Sequence, residues 1–141
     1  MRTDRDAGRK IRLMMQGKKA DTFEAIQRAL DPEMFEWTEE FNFGTVWTRP
    51  GLDFDDRILI AITALAVQGG PIRNYLHGAI QAGIDPMRIH ETLVMLTPYA
   101  GFSVAMDALQ VWGDVVRSER RRGAIVDCPV EDIDLEYKKP T

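Results

Sequence analysis

The ten-residue run from Ile58 to Val67, ILIAITALAV, limits the possible folds more than any other stretch of the chain. It is apolar on nearly every side, so whatever it forms must be covered on nearly every side. Its β-branched residues would suit a buried strand. However, Asp53 is a good N-cap, Asp56 follows three residues on, and the alanine content and a length of about 15 residues favour a helix. Gln68-Gly69-Gly70-Pro71 then breaks the chain. A second helical stripe follows, with Ile72, Tyr75, Leu76, Ala79 and Ile80, and Gly83 serves as a C-cap glycine. The pair predicts a central apolar helical hairpin. In a chain of 141 residues, the surplus apolar surface also predicts a partner subunit.

The flanking segments read as helices too. Residues 1–17 form a basic arm ending near Gly17, with Ile11, Leu13, Met14 and Met15 late in the run. Arg2, Arg5, Arg9, Lys10 and Arg12 are interrupted by Asp4 and Asp6, which predicts a solvated helix face. Phe23, Ile26 and Leu30 recur at helical spacing. Asp31-Pro32 and Asp85-Pro86 are cap-plus-proline starts. The first opens a helix to about Phe43, rich in aromatic residues. The second opens a helix to Thr97, which Pro98 bends or ends. A last long helix runs to about Arg122, and Arg117, Arg120, Arg121 and Arg122 complement its C-terminal dipole. Residues 124–141 form an acidic tail, read as frayed or laid over a neighbouring subunit. Strand signals are weak throughout. The expectation is one all-α domain over residues 1–141, with six to seven helices.

Composition excludes several classes of function. With 45% hydrophobic and 28% charged residues, the balance is that of a globular protein. A net charge of −4 speaks against nucleic acid as a partner. No run approaches the ~20 apolar residues that span a bilayer, and the start of the chain has no signal-peptide apolar region, so a cytoplasmic location is expected. The single cysteine, Cys128, allows neither an internal disulfide nor a Cys-x-x-Cys pair. His77 and His90 lack metal-ligand spacing, so no metal is expected. No phosphate-cradling loop or nucleophile elbow is present.

What remains is cofactor-free acid–base chemistry. Its candidates are Tyr75, His77, His90, Glu91 and Tyr99, with Arg49 or Arg57 to hold an anion. The loop Phe43–Leu52 carries Trp47 and Arg49 together, ahead of a Pro50-Gly51 turn. An arginine beside an indole can grip a carboxylate bidentately in a partly dry site. Equally, Trp47 can plug the core while Arg49 pairs with an aspartate. Arg57, at a helix start, is offset by Asp53, Asp55 and Asp56. Tyr75 lies on the buried stripe and His77 on its flank. Glu91 stands among Thr92, Leu93 and Val94, where burial would require pairing or protonation.

Phe43-Gly44-x-x-Trp47-x-Arg49-Pro50-Gly51-Leu52, then Arg57, the apolar helix, Gly83, Glu91 and Tyr99-Ala100-Gly101 resemble the carboxymuconolactone decarboxylase family, over roughly residues 8–117. The resemblance implies an oligomeric all-helical fold of the alkylhydroperoxidase-D type, assembled as trimers or hexamers. It implies a cofactor-independent lyase acting on a small unsaturated acid or lactone. Tyr75, His77 and Glu91 would be catalytic, and Trp47, Arg49, Arg57 and Tyr99 would bind substrate. The peroxidase branch uses a Cys-x-x-Cys pair on the helix after the apolar one, which this chain lacks. The decarboxylases carry histidine eight residues before the glycine matched by Gly83, and here that position is Tyr75. His77 lies about 200° further around the helix and cannot take its place. Tyrosine keeps a hydroxyl donor but loses a base that titrates near neutrality. The same residues could serve an isomerase or dehydratase. A non-catalytic oligomeric binding protein would leave them scattered.

Overall fold

A computed structural model describes residues 4–133. Among these residues the fold is helical, with no strand. Its α-helices are α1 (Arg5–Gln16), α2 (Ala20–Leu30), α3 (Pro32–Trp37), α4 (Phe54–Val67), α5 (Arg73–Gln81), α6 (Pro86–Val94), α7 (Leu96–Ala100) and α8 (Phe102–Arg121). A 3₁₀ turn, Gly17–Lys19, joins α1 to α2, and a π-helical segment, Thr38–Val46, continues α3.

The starts follow the predicted chemistry. The carboxylates of Asp31, Asp53 and Asp85 accept the first free amides of α3, α4 and α6. Two boundaries moved. The helix predicted from Pro32 to Phe43 widens at Thr38 into π geometry, where i→i+5 bonding turns the aromatic side chains differently. The segment around Pro98 forms the separate short helix α7, and α8 starts after Gly101, whose φ of 99° a side chain would strain.

The predicted hairpin is the centre of the core. Ile58 and Ile62 of α4 and Leu76 and Ala79 of α5 are fully buried, with Ile89 and Leu93 of α6 and Trp112, Val115 and Val116 of α8. Burying each large aliphatic side chain contributes about 1.5–3 kcal/mol relative to exposure. The outer face of α4 stays open: Ile60 is 54% exposed and Val67 52%. Val67 shares a surface cleft with Met95 and Tyr99, both exposed.

Two expectations are corrected. The basic arm is not a uniformly solvated face, because Arg12 is completely buried. Its guanidinium donates to Gln16 at 2.9 Å and Glu24 at 2.8 Å, and lies 3.5 Å from the buried Glu39. Arg12 and Arg28 also flank the Phe35 ring, at 5.0 and 4.3 Å from its centroid. The tail, as far as it is described, is not frayed. Arg120 donates to the carbonyls of Val126, Cys128 and Val130 and folds it back onto α8, burying Val126. Residues 134–141 lie outside the described residues.

Two glycines let α1 lie against its neighbours backbone to backbone. A Cβ on Gly78 would sit 1.7 Å from the Met15 carbonyl oxygen, and one on Gly8 would sit 2.1 Å from that of Glu39. Gly78→Ala is therefore expected to cost about 3 kcal/mol or more. Gly51→Ala, in open space, should stay within about 0.5 kcal/mol of the unaltered chain. Urea midpoints followed by circular dichroism compare the two.

Candidate active site

The loop between the π segment and α4 is held from one end. Arg57 donates to the carbonyls of Val46 and Leu52, each at 3.1 Å, and to that of Arg49. Its expected aspartate partners are engaged elsewhere, since Arg88 pairs with Asp56 at 3.0 Å and with Asp55 at 3.8 Å. Arg57 thus works as the latch of the loop, which leaves it poorly placed to hold an anion. Trp47 sits between Phe43 and Phe54, with ring centroids 5.3 and 5.9 Å away, and packs on the core.

Arg49 differs from its neighbours. Its side chain is exposed and makes no ion pair or hydrogen bond among the described residues. It lines an open cleft of about 510 Å³ with Asp4, Ala7, Gly44, Thr45, Thr48 and Pro50. The arginine that could grip a carboxylate is therefore 49.

Tyr75 is half-buried against the core. Burial pushes its phenol pKa up, so the hydroxyl is protonated at neutral pH. His77 is not a surface histidine. Its Nδ1 lies 2.7 Å from Oε1 of Glu119 on α8, whose side chain is 3% exposed. The same oxygen accepts the Gln81 amide at 2.9 Å, and Gln81 accepts the Lys18 backbone amide at 2.8 Å. Burial alone would raise the Glu119 pKa. Hydrogen bonds from Gln81 and His77 and the charges of His77 and Arg122 outweigh it, and the net shift is downward. His90 accepts the indole N–H of the buried Trp112 at 3.2 Å, which makes it a packing partner of α8.

Glu91 and Tyr99 lie on the outer surface. Glu91 is exposed, so it needs neither the pairing nor the protonation that burial among its apolar neighbours would require. Its neighbour Thr92 lines a second cleft of about 440 Å³. That cleft is apolar, lined by Thr63, Val67, Thr92, Met95, Leu96 and the 84%-exposed Tyr99. The predicted site residues are thus divided. Trp47 and Arg49 share one loop, which Arg57 latches from α4, Glu91 and Tyr99 are exposed on α6 and α7, and His77 lies in the α5–α8 seam. Neither cleft is lined by Tyr75.

Sequence reasoning missed Glu119. The signal was present, because Trp112, Val115 and Val116 set a helical stripe that continues to 119. Among the described residues no cluster of His, Cys, Asp and Glu could hold a metal ion, and no helix is long and apolar enough to cross a membrane.

Comparison with known proteins agrees with this frame. The model of the carboxymuconolactone decarboxylase family matches residues 32–114, more than half of the chain. The chain belongs to the carboxymuconolactone decarboxylase family. Within the family's reach, it is 29% identical over 103 residues to nitrosuccinic acid decarboxylase npaB of Metarhizium robertsii, covering 72% of this chain and 64% of that protein. It is 31% identical over 84 residues to an uncharacterized 15.0 kDa protein of Paracoccus denitrificans from the nqo9-nqo10 intergenic region, covering 57% of this chain and 63% of that one. The chain thus spans just under two thirds of the length of each of these relatives.

Two outcomes are expected from this geometry. Arg57→Ala should cost about 1–3 kcal/mol and expose residues 46–52 to rapid amide exchange, because three carbonyls lose their donor. The depressed Glu119 pKa stabilises the fold above the ordinary carboxylate value of 4.5, and that stabilisation is lost as pH falls through the lower folded value. Between pH 5 and the acid limit, Glu119→Gln should therefore show a flatter decline in stability than the unaltered chain. Chemical denaturation at stepped pH measures it.

Proposed function

We propose that this chain is a cofactor-independent lyase of the decarboxylase type, acting by acid–base chemistry on a small unsaturated carboxylic acid or lactone. The observation that carries the reading is Arg49, a guanidinium without a partner among the described residues, in an open cleft of a chain of this family. Carboxymuconolactone and nitrosuccinic acid, the acids named for the family and for the fungal relative, share a chemical pattern. Each has a carboxylate on a carbon next to an electron-accepting group, and each keeps a second carboxylate after the first has left. An arginine suits that retained carboxylate.

In this reading Arg49 anchors the retained carboxylate from its cleft. Tyr75, kept protonated by burial, lines neither cleft of the single chain and would donate to the oxyanion that forms as carbon dioxide leaves where an assembled oligomer brings it and Arg49 to one substrate. Glu91 and His77 are the remaining proton carriers. Glu91 would act from a dry site only once the apolar surface around Tyr99 is covered, and a homo-oligomer, trimer or hexamer, would cover it. With no cysteine on α5, thiol peroxidase chemistry has no nucleophile there.

A second reading is a non-catalytic binding protein. It is favoured by the separation of Arg49, His77 and Glu91 onto different surfaces of one chain. Turnover separates the two. On a panel of small unsaturated acids and lactones, release of carbon dioxide is expected. Arg49→Ala should raise KM, and Tyr75→Phe should lower kcat by roughly 10²-fold, the scale of one lost oxyanion donor. Tyr75→His should introduce a pH limb near the ordinary histidine value of about 6.5. An unaltered rate in both Arg49→Ala and Tyr75→Phe would remove these residues from the site, and no turnover across the panel would favour the binding protein.

A further inference from the structure

Arg49 shares its cleft with a charge of opposite sign. Asp4, at the start of α1, lines the same walls. Its Oδ1 accepts the Ala7 amide at 3.0 Å as the helix cap. The second carboxylate oxygen is uncommitted, and no cation pairs with it among the described residues. A full positive and a full negative charge thus face one cleft of about 510 Å³ without pairing with each other. Apart from the α1 cap, nothing among the described residues uses these two charges. The arrangement matches a ligand with an anionic group at one end and a hydrogen-bond donor at the other.

Thr48 reinforces this. Its hydroxyl donates to the Gly44 carbonyl at 2.8 Å. With its proton engaged, its oxygen can only accept from a ligand.

We propose that this cleft selects a small carboxylate that also carries a hydroxyl or ammonium group, with the carboxylate on Arg49 and the donor on Asp4. The inference rests on Arg49 being the carboxylate anchor of the proposed decarboxylase. It also separates the substrate of this chain from carboxymuconolactone and nitrosuccinic acid, which carry no such donor beyond their acid groups.

Succinate, L-malate and L-aspartate test it, because they share one four-carbon diacid frame and differ in carrying hydrogen, hydroxyl or ammonium. Titration calorimetry on the full chain should find malate and aspartate binding about tenfold more tightly than succinate, the scale of one charge-assisted hydrogen bond. Asp4→Asn should bring the three within about twofold of one another. Asparagine caps a helix as well as aspartate does, and an unchanged melting curve would verify that α1 is intact. Arg49→Gln should weaken all three. If Arg49→Gln weakens all three but Asp4→Asn leaves the ranking intact, or if succinate binds as tightly as the others, donor selection is wrong while the anchor stands. If Arg49→Gln changes none of them, or none binds at millimolar concentration, the anchor is wrong and both readings fall.

Discussion

The approach of α1 to α5 at Gly78 is the contact on which most of the structure depends. A helix normally keeps its neighbour at side-chain distance, but here the Met15 carbonyl occupies the space a Cβ would fill. That closeness drives Met15 into the core. It also brings the turn after α1 against the end of α5, where Lys18 meets Gln81. Gln81 in turn meets Glu119, and Glu119 meets His77. At its other end α1 makes a second backbone contact, with Gly8 against the Glu39 carbonyl and Gly44. Gly44 begins the stretch that holds Trp47 and Arg49. One helix therefore sets the distance between the candidate loop and α5, using glycine at both ends because no side chain fits.

The arginines divide by their partners, and the division decides which one is available to a ligand. Arg12 is buried among Gln16, Glu24 and Glu39. A buried guanidinium must be paired, since an isolated buried charge costs several kcal/mol. Arg120 holds the tail through backbone carbonyls, and Arg57 holds the loop in the same way. These side chains use guanidinium for its fan of donors more than for its charge. Arg57 also shapes the loop that presents Arg49. Its donors take up the Val46, Arg49 and Leu52 carbonyls, so the loop backbone is satisfied without any help from Arg49. That Arg49 has no partner among the described residues depends on the latch at 57.

The helical hairpin was legible because apolar period, cap and break all agreed over Asp53 to Gly83. Caps at Asp31, Asp53 and Asp85 were legible because each rests on a side chain bonding within its own turn. The π segment was not legible, because its widening changes no residue type and depends on how α1 packs against it. Arg12 was read as surface charge and Glu119 was missed, since a charged residue is almost never buried without a partner and neither pairing is signalled by a local pattern. Glu119 meets a histidine 42 positions away. The burial of each was nonetheless written in its own helix, through Gly8, Met15 and Gln16 for Arg12 and through Trp112, Val115 and Val116 for Glu119. Arg57 was read correctly as a charge at a helix start, but its carbonyl partners belong to a loop whose path no local pattern encodes.

The tyrosine at position 75 bears on which reaction such a site could run. An isomerase or dehydratase must remove a proton from carbon, which calls for a base near neutrality. A phenol whose pKa is raised by burial cannot supply one. Decarboxylation makes no such demand. The substrate acid is already ionised, the electron pair of the breaking carbon–carbon bond flows into the acceptor, and carbon dioxide leaves neutral. The protein must then stabilise a new oxyanion and return one proton to the product. A protonated phenol can do the first directly, and half-burial strengthens that hydrogen bond by lowering the local dielectric. In the proposed reading, Tyr75 supplies the donor that a decarboxylase uses and no base for abstracting a proton from carbon. On that reading loss of carbon dioxide is the reaction that suits Tyr75 best, while His77 is tied to Glu119 across the α5–α8 seam.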